Sequence, residues 1–115
     1  MVTMEAKWVQ VARVEDFPEN GGRCFKHDGI QIAIYRFGRR NEWYATQNLC
    51  PHKQEMVLSR GMLGDSQGTP KVACPLHKST FSLKDGSNLN GDLPSLKTYK
   101  VKVVDGMVLL DLSQT

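Results

Sequence analysis

A chain of 115 residues and 12.9 kDa is the size of one ordinary domain. Leu, Ile, Val and Phe make up about a quarter of it, too much apolar side chain for a disordered tail, and no apolar run approaches the length of a bilayer span. Lys and Arg number 15 against 12 Asp and Glu, a net charge of +3 that solubility explains without a polybasic nucleic-acid tail.

The first ten residues carry Glu5 and Lys7 and no apolar h-region, so no signal peptide is expected and a soluble, cytoplasmic protein is. Trp8 to Ala12 reads as a strand. Val14 to Pro18 predicts one helical turn, ended by Pro18 and Gly21-Gly22. Arg23 to Lys26 is a second strand, running into Asp28-Gly29. Ile30, Ile32 and Ile34 alternate with Gln31, Ala33 and Tyr35, so Ile30 to Phe37 is expected to be half-buried. Glu42 to Thr46 is a further strand. Four of the five prolines fall between residues 47 and 96, which makes loops dominate there. Two strand-like runs survive in that stretch, Met56 to Leu63 and Lys71 to Cys74, with Gly64 to Pro70 as the turn between them. Tyr99 to Val104 and Met107 to Asp111 flank Asp105-Gly106, a pair that accepts the positive φ of a two-residue hairpin. Many short strands separated by turn signals predict an all-β sandwich or barrel. Trp8, Trp43 and Tyr44 are expected in its core or at the rim. Arg36, Arg39 and Arg40 around Gly38 are expected at a solvated hairpin tip, since no nucleic-acid motif accompanies them.

Three cysteines are few for a disulfide framework, and each has a histidine within three residues: Cys24 and His27, Cys50 and His52, Cys74 and His77. A hairpin over 56–74 would return the chain on itself and bring Leu49–Lys53 and Cys74–Ser79 together. Two thiolates and two imidazoles can then bind one Zn²⁺ tetrahedrally or the two irons of a 2Fe-2S cluster. One Cys and one His from each loop suits a dinuclear centre, because each iron takes one ligand from each loop. Pro51 and Pro75 stiffen the two loops directly after their cysteines. Cys24 and His27 have no such proline and no partner loop, so a small packed cysteine and a turn histidine are expected there. No nucleophile–base set and no nucleotide fingerprint is present, so no independent active site is expected.

Cys50-Pro51-His52 and Cys74-Pro75-Leu76-His77, followed by Phe81 and Asp85-Gly86, resemble the two loops of Rieske iron–sulfur domains. The resemblance runs from about Trp8 to Asp111. It implies an all-β base, sandwich or barrel, with an inserted cluster-binding subdomain at about 47–96, in a single domain 1–115. It also implies the ligand set: Cys50 and Cys74 on the inner iron, His52 and His77 on the outer one. The stretches CPHKQEMVLSRGMLGD and VACPLHKSTFSLKDGSNLN are similar to the small-subunit branch of the family, found in assimilatory NAD(P)H-dependent nitrite reductases. That implies an electron-transfer role in nitrate assimilation beside a large catalytic subunit, which would carry flavin, sirohaem and a 4Fe-4S cluster and reduce nitrite to ammonia. Two alternatives are a free Rieske ferredoxin feeding an aromatic-ring oxygenase and a cluster-free or zinc-bound interaction subunit.

Two thiolates against two Fe³⁺ and two sulfides leave a neutral cluster when the other ligands are imidazoles, and a neutral cluster accepts an electron more readily than a dianionic one. High-potential members of the family add a tyrosine donor after the second loop and a disulfide between the loops. Ser79 keeps one donor here, but Phe81 offers no hydroxyl and Lys53-Gln54 and Leu76 supply no disulfide, so a lower potential is expected. Lys53 and Lys78 stand where many Rieske ferredoxins carry Arg and Gly. They are either solvated charges or groups that raise the potential and steer an acidic partner.

Overall fold

The computed structural model describes residues 8–27, 29–38, 42–50, 55–56, 58–66, 68–75, 79–91 and 93–113. Twelve strands and two short 3₁₀ turns occur among them. In chain order these are β1 (Trp8–Arg13), a 3₁₀ turn (Val14–Asp16), β2 (Asn20–His27), β3 (Ile30–Phe37), β4 (Glu42–Gln47), β5 (Leu49–Cys50) and β6 (Glu55–Met56). A second 3₁₀ turn (Leu58–Arg60), β7 (Met62–Ser66), β8 (Thr69–Ala73), β9 (Thr80–Ser82), β10 (Thr98–Tyr99), β11 (Val101–Val104) and β12 (Met107–Asp111) follow. No described helix is long and apolar enough to cross a membrane.

Two sheets build the base. One has the order β1-β12-β11 and the other β10-β4-β3-β2, all antiparallel. The Tyr99–Val104 stretch does not form one strand. It pairs with β4 up to Tyr99, is interrupted at Lys100, and pairs with β12 from Val101, so a single run of chain serves both sheets. Such a switch is how strands make the corners of orthogonal sandwiches. Asp105-Gly106 makes the expected two-residue turn, with φ of 51° and 76°. β5 to β9 stand between β4 and β10 and form a two-stranded pair, β5-β6, and a three-stranded sheet, β7-β8-β9.

The register of β3 decides where everything packs. Ile32 and Ile34 point into a core shared with Phe17, Ala45, Val108 and Leu110. Ala33, Tyr35 and Phe37 point the other way, into a second core with Leu58, Val72, Cys74 and Phe81. Half-burial is therefore the wrong expectation for this strand: Ile32, Ala33 and Tyr35 are fully buried and Ile34 nearly so. The β7-β8-β9 sheet covers the face that alternation assigns to solvent.

Three further expectations are corrected. Met56 to Leu63 is not a strand, because residues 58–60 turn and Gly61 follows. A Cβ on Gly61 would lie 2.5 Å from the Ala73 carbonyl oxygen, so the turn approaches β8 only because that residue is glycine. Gly64 to Pro70 is mostly strand: Gly64 pairs with Lys71 and Asp65 with Pro70. β9 stops at Ser82, opposite Lys71, so Pro70 forfeits no bond to it. Arg36 is not at a solvated tip. Its Nη1 donates to the Phe17 carbonyl at 3.2 Å and its guanidinium lies 5.8 Å from the centre of the Trp43 ring. Arg39 and Arg40 lie outside the described residues.

Candidate metal centre: two hairpin loops on one core

The first loop grows from the end of β4. Gln47 ends β4 and Asn48 follows it, directly after the buried Ala45 and Thr46, and both side chains bind backbone. The Gln47 N–H donates to the Lys97 carbonyl at 2.8 Å, and the Lys97 N–H donates to Gln47 Oε1 at 2.9 Å. Gln47 Nε2 reaches forward to the Leu49 carbonyl at 2.7 Å. Asn48 is 2% exposed, a burial that an amide tolerates only when its hydrogen bonds are made. Its Nδ2 donates to Gln31 Oε1 at 3.0 Å, and its Oδ1 accepts the Ser59 N–H at 2.7 Å. On the main chain, Asn48 donates to Gln31 at 3.1 Å and accepts from Leu58 at 3.1 Å. One residue thus ties together the segments entering and leaving the loop. Between those segments Leu49 pairs with Met56 and Cys50 with Glu55. His52, Lys53 and Gln54, which come between β5 and β6 in the sequence, lie outside the described residues, as does the side chain of Cys50.

The second loop joins β8 to β9. Ala73 pairs with Thr80, and the Cys74 N–H donates to the Ser79 carbonyl at 2.8 Å, closing the neck. The same neck is held from outside. Asn88 Nδ2 donates to the Thr80 carbonyl at 3.0 Å, and Asn90 Oδ1 accepts the Thr80 N–H at 3.0 Å. The following turn needs Gly86, whose φ is 80° and whose added Cβ would overlap the Leu96 carbonyl. The Ser87 N–H and hydroxyl donate to Asp85 Oδ1 at 2.9 and 2.7 Å, which holds that carboxyl below its usual range. His77, Leu76 and Lys78 lie outside the described residues.

Of the four expected ligands, then, Cys74 is described in full and Cys50 by its backbone. The Cys74 thiol is free of any disulfide and 1% exposed, in one core with Tyr35, Leu58 and Phe81. Leu58 follows the first hairpin, so the chain leaving one loop packs in the same cluster as the cysteine opening the other. The Tyr35 hydroxyl lies 3.1 Å from Thr46 Oγ1, which itself donates to the Gln47 carbonyl at 2.9 Å, so Tyr35 is the donor. Burial raises the Tyr35 phenol far above its ordinary range, against the Thr46 bond, and negative charge on the nearby sulfurs of Cys24 and Cys74 acts the same way.

Cys24 is exposed, not packed as the sequence suggests. It pairs with Ala33 at the margin of the second core, where its Sγ lies 3.4 Å from Gln31 Oε1 and 3.5 Å from Asn48 Nδ2. Desolvation raises its thiol, against the pull of Lys26. His27 stacks on Phe25 beside the turn, with centroids 6.4 Å apart. Among the described residues no three His, Cys, Asp or Glu side chains converge. Asn48, Asn88 and Asn90, which hold both loops, escape the sequence reading. Their one signal is position, each lying within a few residues of a Cys/His motif or of the strand after it.

The family described as Rieske-like [2Fe-2S] domain matches residues 7–111. This chain belongs to it. The NADH nitrite reductase small subunit of Salmonella typhimurium is 34% identical over 105 residues, covering 91% of this chain and 97% of that one. The NAD(P)H nitrite reductase large subunit of Klebsiella oxytoca is 37% identical over 101 residues, 88% of this chain but 10% of that protein. Among solved structures, a NADH-dependent nitrite reductase small subunit of Mycobacterium tuberculosis superposes with a TM-score of 0.85 at 28% identity, covering 92% of this chain and 95% of that one. The donor chemistry of this Rieske-like domain fits a 2Fe-2S cluster. Each hairpin supplies one thiol and one imidazole in sequence, and the Cys74 thiol is unbridged in an apolar setting that excludes water.

Proposed function

We propose that this protein is the electron-transfer small subunit of an NAD(P)H nitrite reductase, acting in the cytoplasm in nitrate assimilation. The observation that carries the reading is likeness over nearly the whole length of both chains to a small subunit of that enzyme. In this reading Cys50 and Cys74 hold the inner iron and His52 and His77 the outer one, within a subdomain at about 47–96 of a single domain 1–115. Bound there, a Rieske cluster takes up and releases one electron at a time. The protein's own part is to fix the loops and to keep water from the thiolates. Asn48 and the Asn88–Asn90 pair do the first, and the core around Cys74 does the second. Reduction of nitrite to ammonia belongs to the large subunit, with its flavin, sirohaem and 4Fe-4S cluster. Exposed apolar side chains support an exchange face at the loop end. Met62, 76% exposed, pairs with Ala73 beside Cys74, and Leu89, 44% exposed, donates its N–H to the Thr80 carbonyl at 2.7 Å.

Low-temperature EPR of the anaerobically reduced protein tests this reading. A Rieske centre gives an average g below that of an all-thiolate cluster. His52→Ala and His77→Ala each abolish the signal and leave the β base folded, and His27→Ala changes nothing. A zinc-bound chain with no reducible signal would overturn the reading, and so would a holoprotein that fails to bind the large subunit.

A further inference from the structure

The described surface holds a second feature that the cluster chemistry does not use. Where the two base sheets meet at Lys100 they leave an open groove of about 660 Å³. Trp8, Trp43 and Tyr99 form aromatic walls, and Lys84, Lys100 and Lys102 rim it, against the single carboxylate of Asp111. Two cations already lie over these rings: Lys102 Nζ is 4.2 Å from the Trp8 centroid and Lys97 Nζ 5.3 Å from that of Tyr99. The groove continues past Lys102 as an opening between Trp43 and Val103.

That continuation runs beside a sheet edge. β11 is the last strand of its sheet, and the tight turn makes Val104 and Met107 its closing hydrogen-bonded pair. By the antiparallel alternation, the N–H and C=O groups of Val101 and Val103 then point away from β12. Val103 and Val104 are 38% and 46% exposed, and Lys100 and Lys102 are the charges on this edge, which oppose pairing with a basic chain but not with an acidic one. Along the chain, the groove draws on other parts of β4 and of the β9 region than the described ends of the two loops do. On β4 it takes Trp43 to Ala45, before Gln47 and Asn48, and it takes Leu83 and Lys84, beyond the end of β9 opposite the Cys74 neck.

We propose that this groove and the β11 edge seat an extended acidic segment of the nitrite reductase large subunit, which pairs along Val101–Val103 and sets its carboxylates against Lys84, Lys100 and Lys102. The inference rests on the small-subunit reading above. Three observations select the occupant. A free strand edge takes an extended chain, a lysine rim takes carboxylates, and in Klebsiella oxytoca the equivalent domain is one tenth of a large-subunit chain, so it works in permanent company with that protein. The small subunit then has two contacts with separate tasks. The groove holds the partner, and the loop end remains for electron exchange.

The test is a titration of the purified large subunit with the cluster-loaded chain at several salt concentrations. Two variants are compared with the wild type: the triple Lys84→Glu, Lys100→Glu, Lys102→Glu, and Val103→Pro, which removes an outward N–H and no ladder bond. Where reversed charges impair folding, the corresponding Lys→Gln triple replaces the first. Both variants are expected to keep the EPR signal and melting temperature and to bind about tenfold more weakly or worse, the lysine variant with a flatter salt dependence. Binding like the wild type by either variant overturns the groove proposal and leaves the small-subunit reading standing. A wild type that does not bind the large subunit overturns both. Sedimentation showing that the chain dimerises alone, through the same lysines, would assign the groove to a second copy and overturn the proposal as well.

Discussion

Replacing Asn48 by alanine isolates the role of one buried amide in holding the first ligand loop. The change deletes the bonds to Gln31 Oε1 and to the Ser59 N–H, at 3.0 and 2.7 Å, and a weak 3.5 Å contact with Cys24 Sγ. The first is an ordinary neutral hydrogen bond, with a net contribution of about 1 kcal/mol. The second leaves a donor unpaired in a partly buried position, at about 1–2 kcal/mol. Together they predict a loss of about 2–3 kcal/mol, or a fall in Tm of roughly 10 °C for a domain of this size. Amide hydrogen exchange separates this mechanism from a general loosening. Ser59 should lose protection selectively, because the neighbouring Leu58 N–H bonds to the Asn48 main chain and keeps its acceptor. Asn48→Asp, which retains the acceptor, should restore protection at Ser59 even though it buries a carboxylate. A Tm within about 2 °C of wild type, with Ser59 exchange unchanged, would refute the reasoning.

Other perturbations follow from the same structure. Gly86→Ala should unfold the turn after the second loop, since its φ of 80° is unfavourable for alanine and its Cβ would overlap Leu96; circular dichroism and iron content should fall together. Tyr35→Phe removes the donor to Thr46 and should cost about 1 kcal/mol in urea unfolding at neutral pH. Its effect on alkaline stability has the opposite sign. The Tyr35 phenol is raised in the folded state, so its contribution is present below pH 10 and is lost as pH rises above the ordinary tyrosine value, and the Phe variant should lack that part of the alkaline decline. Phe81→Tyr places a hydroxyl in the buried core shared with Cys74 and should raise the cluster midpoint in protein-film voltammetry; an unchanged or lower value would count against a donor role at that position.

The sequence reads most clearly where one physical signal acts alone. Asp105-Gly106 has a turn requirement and nothing to oppose it, and β3 emerges with its expected ends. Long-range packing is what alternation misses. Ala33 and Tyr35 look solvent-facing because period-two patterning cannot foresee a sheet from residues 62–82 folding over them. Tyr99 to Val104 reads as one strand because its side chains alternate without interruption, and only the partners on either side divide it at Lys100. Gly64 and Pro70 carry turn composition and still sit in paired strands, since pairing runs as far as Ser66 with Thr69. At the two loops the Cys/His spacing picks out the proposed donors, but the amides that fix those loops are ordinary polar residues in the sequence. Their significance depends on contacts such as Asn48 to Ser59, eleven positions apart.

The paired bonds between Gln47 and Lys97 join residues 50 positions apart. They pinch off everything between them as one large excursion from the base. The entropy of closing such an excursion grows only with the logarithm of its length, about 0.6 kcal/mol for each doubling. The base therefore tolerates a longer or shorter excursion at little entropic cost, provided the two ends still meet and apolar side chains still cover Ala33, Tyr35 and Phe37. Grafts exchanged at this pinch point, between Gln47 and Lys97, become a practical route to new electron carriers on an unchanged scaffold.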